Sequence, residues 1–198
     1  MFAVSFEISK TEENKLMNTQ SFSGKAENIW AATLATASVL GSWIFACITP
    51  FAAIGVLLAA TLPARKAMMW MGGVWTANQL VGYLILDYPR TANSFLHGGS
   101  LLLASMAGLL VAIEVLKWRG NETLLSLGLA FAAAFTAYES LLYVAALFLG
   151  GLDTFAPDIV WLVAKNDLAW FAGLLAVRVA LTRALPQFYA PKLVARSA

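Results

Sequence analysis

Cysteine and histidine are almost missing from this 198-residue chain, which has one of each, Cys47 and His97. A lone cysteine excludes an intramolecular disulfide and a thiolate cluster. A lone histidine excludes a bis-histidine haem and argues against a histidine-rich metal channel. Charge is also scarce: 12% of residues are charged, the formal net charge is +2, and no Lys/Arg block marks a nucleic-acid partner. No Gly-x-Ser-x-Gly, His-Glu-x-x-His or Walker sequence is present, and no nucleophile-base pair or metal-ligand spacing. No enzyme activity and no cofactor are therefore expected. Asn121-Glu122-Thr123 matches a glycosylation acceptor only by chance, on an expected inside turn. An internal repeat of three spans is not visible, which weakens the case for an autonomous inverted-repeat transporter.

What the chain has is apolar length. Hydrophobic residues make up 60% of it and the mean hydropathy is +0.74, far from the balance of a water-soluble domain. The runs are long, continuous and rich in Ala, Leu and Gly, whereas a β-barrel would show short alternating segments. The expected fold is all-α: a polytopic helical bundle in the lipid bilayer, in the bacterial cytoplasmic (inner) membrane. Residues 1–27 carry Glu7, Lys10, Glu12, Glu13, Lys15, Lys25 and Glu27, lack the apolar core of a signal peptide, and read as a cytoplasmic tail. Met17 is an alternative start within it.

Pro, Gly and charged punctuation divide residues 28–185 into six expected spans. They run from Asn28 to Ile48, Phe51 to Leu62, Ala64 to Leu86, Ala92 to Leu116, Thr123 to Leu149, and from beyond Pro157 to Leu185. The second reaches only ~20 Å of a ~30 Å hydrocarbon core, so it is continued by neighbours, broken or re-entrant. Residues 186–198 form a short cytoplasmic C-terminal tail. With both termini inside, the inside connections hold Arg65, Lys66, Lys117, Arg119, Arg183, Lys192 and Arg196. The outside connections hold Arg90 with Asp87, Asp153 and Asp158, in accord with the positive-inside rule.

Polar groups inside hydrocarbon cost free energy unless partnered, so their concentration marks a candidate ligand site. On span 3, Trp75, Gln79, Tyr83 and Asp87 recur at i, i+4 and form one stripe, with Asn78 beside it. Asn78 and Gln79 fall ~18 to 20 Å from the inner edge, in the outer half. Asn93 and His97 on span 4, Tyr138, Glu139 and Tyr143 on span 5, and Lys165-Asn166-Asp167 with Trp170 on span 6 reach a similar level. The expected ligand-binding set is Trp75, Asn78, Gln79, Tyr83, His97, Glu139, Tyr143, Asn166, Asp167 and Trp170. Each has a plainer reading: amides stapling helices, a satisfied structural acid at Glu139, a salt-bridged turn at Asp87 and Arg90, an interfacial His97. Trp30, Trp70, Trp118 and Trp161 fit the aromatic belt. Ala31 and Ala35 give span 1 a small-x-x-x-small surface, suited to internal packing or to a partner helix.

Six spans with both ends inside, small size, the Ala31-x-x-x-Ala35 surface and polar or aromatic residues in the outer halves of spans 3 to 6 resemble a substrate-binding S component of the energy-coupling factor (ECF) vitamin transporters. The resemblance is architectural and covers the chain after residue 27. It implies high-affinity capture of a small vitamin-like solute near the outer surface, a coupling membrane subunit docked on the first helix through Ala31 and Ala35, and two partner ATPases. The alternative is a non-transport accessory subunit of a larger complex whose polar groups staple helices or hold a lipid or pigment.

Overall fold

The computed structural model describes residues 28–34, 36, 49–120 and 123–184. The expected tails 1–27 and 186–198, Ala35, Cys47 and the Asn121-Glu122 turn lie outside them. The described residues are all-helical, with no strand. Residues 28–34 belong to α1, followed by α2 (Phe51–Thr61), α3 (Ala64–Leu84), α4 (Ala92–Arg119), α5 (Leu124–Leu149), a 3-10 turn (Leu152–Phe155) and α6 (Pro157–Ala184).

The helix ends follow from local chemistry. Pro50 and Pro63 stand at the N-caps of α2 and α3, and Pro157 opens α6, where a missing N–H costs nothing. Thr91 and Thr123 cap α4 and α5, their hydroxyl oxygens accepting the N–H of Ser94 and Ser126 at 3.2 Å. Gly120 ends α4 in the left-handed region at φ 67°, its N–H shared between the Leu116 and Lys117 carbonyls. At the α3–α4 turn a Cβ on Gly82 would lie 2.6 Å from the Tyr88 ring, so only glycine lets that ring close over α3. Arg90 does not pair with Asp87 as the sequence suggests. Its Nη2 donates to the Tyr83 carbonyl at 3.2 Å, satisfying one of the last carbonyls of α3.

α2 is the centre of the bundle. Phe51 to Ala60 are all buried, leaving only Thr61 of its 11 residues partly open. A helix that is apolar on every side has to be surrounded, and α2 packs against α3, α4, α5 and α6. Gly55 lets it approach the Leu109 backbone, where a Cβ would meet Cα at 3.6 Å. Gly108 does the same for α4 against α5, with the Ala134 carbonyl 3.1 Å from its notional Cβ. Trp30, Ala31 and Leu34 of α1 join this core. Trp30, expected in the interfacial belt, is 4% exposed, because α1 turns that face inward.

α4, α5 and α6 are each long and apolar enough to cross a membrane. Their outward faces carry Leu103, Leu110, Leu125, Phe148, Trp161 and Leu162, all exposed. An apolar surface of that extent is a liability in water and ordinary against lipid, so the chain is a membrane-associated helical protein.

Candidate functional site

Contacts between helices fix which residues share a level. Phe51 lies against Tyr138 of α5, ring centroids 6.0 Å apart, and Ala53 meets Asp167 of α6. Thr49, just before α2, meets Asn78 of α3. Gly55 faces Leu109, which sets the start of α2 opposite Ser105 of α4. Ser105 sits half-way along the 28-residue α4, ~20 Å from either end. Thr49, Asn78, Ser105, Tyr138, Glu139 and Asp167 therefore form a polar layer at mid-height, where α2 begins.

That beginning needs help. The first N–H groups of a helix have no partner within it, and Pro50 offers no side-chain cap. Asp167, 2% exposed, supplies one from α6: its Oδ1 accepts the Ala53 N–H at 3.4 Å, with the Ala52 N–H also directed at it. The carboxylate faces the positive end of the α2 dipole. On the other side Asn78 Nδ2 donates to Thr49 Oγ1 at 2.6 Å, and Gln79 Nε2 donates to Asn78 Oδ1 at 3.2 Å. Ser105, buried, donates to the Leu102 carbonyl of its own helix at 2.9 Å.

Two groups in this layer lack partners. Tyr138 is 7% exposed and its hydroxyl makes no hydrogen bond among the described residues. Glu139 is partly buried and has neither a hydrogen bond nor an ion pair among them. Below them, towards the Gly120 end, Phe131 of α5 stacks on Phe171 of α6 with centroids 5.0 Å apart. Trp170 packs against the same core.

The remaining expected residues divide differently. Trp75, Gln79 and Tyr83 do lie on one stripe, and the stripe faces α4. Trp75 Nε1 donates to the Gly98 carbonyl at 2.8 Å, the Gln79 amide presses on Gly98 where a Cβ would stand, and the Tyr83 hydroxyl lies 3.1 Å from Ser94 Oγ. Tyr83 also stacks on Phe95 at 4.9 Å. These groups bind α3 to α4. Nearer the Gly150 end, Asn93 Nδ2 donates to the Leu149 carbonyl at 3.3 Å, exposed His97 lies beside Gly151, and Tyr143 meets Phe155 edge-on at 5.4 Å. Asn166 is half-buried, next to Asp167. Ala31 is fully buried inside the chain's own core.

The structure thus brings Asn78 and Asp167 to the opening of α2, with Gln79 linked through Asn78, while Glu139 follows Tyr138 on α5 with no contact to α2 among those described. Thr49, Ser105 and Tyr138 belong to the same layer and were outside the expected set. Thr49-Pro50 at the head of a short apolar segment was the available signal for the first, and adjacency to Glu139 for the last. Among the described residues no group of three or more His, Cys, Asp or Glu side chains is placed to hold a metal ion. Comparison with family models, curated proteins and solved structures found no match.

Proposed function

We propose that this chain is a membrane-embedded binding subunit that takes up a small vitamin-like solute, held near the mid-height layer and admitted from the Gly150 end. The observation that carries this reading is the start of α2 inside the bundle, ringed by polar groups from α3, α4, α5 and α6. Interrupted helices whose ends lie at mid-membrane are the usual way a helical bundle presents polar groups to a solute. Unpaired ionisable groups at that depth are costly, and their cost argues for use.

Arg65, Lys66, Lys117, Arg119 and Arg183 flank the Gly120 end, which the positive-inside rule puts in the cytoplasm of the inner membrane. The six-span reading, with both termini cytoplasmic, is kept in a modified form. α2 reaches the Gly120 end from mid-height, and α3 to α6 cross between the faces. Release of the solute would draw on a coupling membrane subunit and its ATPases, as the resemblance to ECF S components implies. With Ala31 turned inward, the small-residue face of α1 open to such a partner carries Ala32 and Thr36.

A second reading has its own support. Trp75, Asn78, Gln79 and Tyr83 are satisfied by their neighbours, as braces would be in an accessory subunit that binds a lipid or pigment. Native mass spectrometry of the detergent-purified chain separates the two. A retained water-soluble solute, with ATPases and a coupling subunit co-purifying, is the expected result. A retained lipid or pigment within a respiratory or biosynthetic complex overturns it.

A further inference from the structure

α6 has two unlike flanks. Asp167, Phe171 and Leu174 are buried on the flank that meets α2, whereas Ala172, Ala176 and Ala180 recur at i, i+4 on the other and are all exposed. Small side chains at that spacing leave a trough along the helix, walled by Leu175, which packs against the bundle core, and by Val179, 40% exposed. The groove has a volume of about 440 Å³. That falls within the ~300–1,000 Å³ of small-molecule sites. Arg183 closes the groove at the Gly120 end, exposed and with no ion pair or hydrogen bond among the described residues.

Depth and charge decide what lies there. From Ala172 to Arg183 the helix rises ~16 Å, and one leaflet of a bilayer has a hydrocarbon depth of ~15 Å, half of ~30 Å. The groove therefore runs from mid-bilayer to the membrane surface, carbon-lined along its length, with a single cation at the level of the lipid phosphates. A partner helix seated there would have to bring an acid to meet Arg183, whereas a phospholipid carries its own anion, and a guanidinium matches a phosphate with two parallel hydrogen bonds. Arg65, Lys66 and Lys117 at the same end add a positive field that enriches anionic lipid around the site. We propose that the outward groove of α6 binds one anionic phospholipid, an acyl chain lying along Ala172, Ala176 and Ala180 and the phosphate resting on Arg183. The site is separate from the mid-height layer, because Asp167 occupies the opposite flank, and it stands whichever reading of the solute holds.

The test gives the full chain, in neutral detergent, equal amounts of phosphatidylglycerol and phosphatidylcholine with identical acyl chains, and native mass spectrometry counts the lipids retained. Phosphatidylglycerol is expected in about fivefold excess in the one-lipid adduct, the preference that a single arginine near the surface supplies. Arg183→Gln should bring the ratio close to one. Arg65→Gln, at the same end of the bundle but on α3, should leave it unchanged. Ala176→Leu fills the groove and should lower retention of both lipids several-fold while the unfolding midpoint stays as it was, since the position is exposed. A ratio near one in the unaltered chain, a ratio that survives Arg183→Gln, an equal fall with Arg65→Gln, or retention indifferent to Ala176→Leu overturns the assignment. So does a dimer that Ala176→Leu dissociates, which would give the groove to a second copy of the chain.

Discussion

Asp167 Oδ1 accepts the Ala53 N–H at 3.4 Å across 114 residues of sequence, so one side chain of α6 completes the first turn of a helix it meets only in the folded bundle. Asp167→Ala would leave buried N–H groups without an acceptor and should cost about 1–3 kcal/mol. Asp167→Asn keeps a carbonyl oxygen in place and should cost less than half as much. Unfolding midpoints of the two variants in detergent micelles check this; equal losses would mean that the carboxylate does not cap α2.

The Asn78–Thr49 contact at 2.6 Å is the corresponding tie from α3. A double-mutant cycle with Asn78→Leu and Thr49→Val should give a coupling energy of about 0.5–1.5 kcal/mol, the range for hydrogen bonds between membrane helices. Strict additivity would show that the two side chains act separately.

Close helix approach at Gly108 is tighter than at most other glycines, because a Cβ there would come within 3.1 Å of the Ala134 carbonyl. Gly108→Val should cost about 1–3 kcal/mol through overpacking of α4 on α5. Gly73→Ala, at a position with nothing within 4 Å, should be neutral or stabilise by up to about 1 kcal/mol. The same micelle assay reads both, and a larger loss at Gly73 would contradict the packing described.

Trp161 is 64% exposed and Trp30 4% exposed. In single-tryptophan variants reconstituted with brominated lipids, Trp161 should be strongly quenched and Trp30 weakly. Quenching of Trp30 as strong as that of Trp161 would place α1 on the outside of the bundle.

Much of this architecture was legible in the residues, because membrane helices are bounded by cheap local signals. Thr49-Pro50, Pro63, Gly120, Gly150-Gly151 and Pro157 each mark a helix end, and the shortness of α2 was visible at once. The i, i+4 stripe of Trp75, Gln79 and Tyr83 was real, but its target was not: a backbone carbonyl on Gly98 leaves no trace in composition. The same holds for Ala52 and Ala53, whose N–H groups matter only because α2 starts inside the bundle. Counting residues along α3 sets Asn78 ~18 Å from Lys66 by helix rise alone and reads it as outer-half, whereas its contact with Thr49 puts it in the mid-height layer. It could not tell that α2 opens at that height, which is what turns scattered polar residues into a layer. Ala31 shows the opposite limit, since a small residue suits a core as well as a docking face.

The burial of α2 on every side also bears on how the chain is made. Eleven residues are fewer than a translocon recognises as a span, and every side of the segment is covered by other helices in the folded bundle. It acquires its place only once later-synthesised neighbours have been inserted, and its last missing acceptor arrives with α6. A chain halted before Pro157 is expected to hold its first hairpins in the bilayer with α2 unanchored, open to proteolysis until the final helix is delivered.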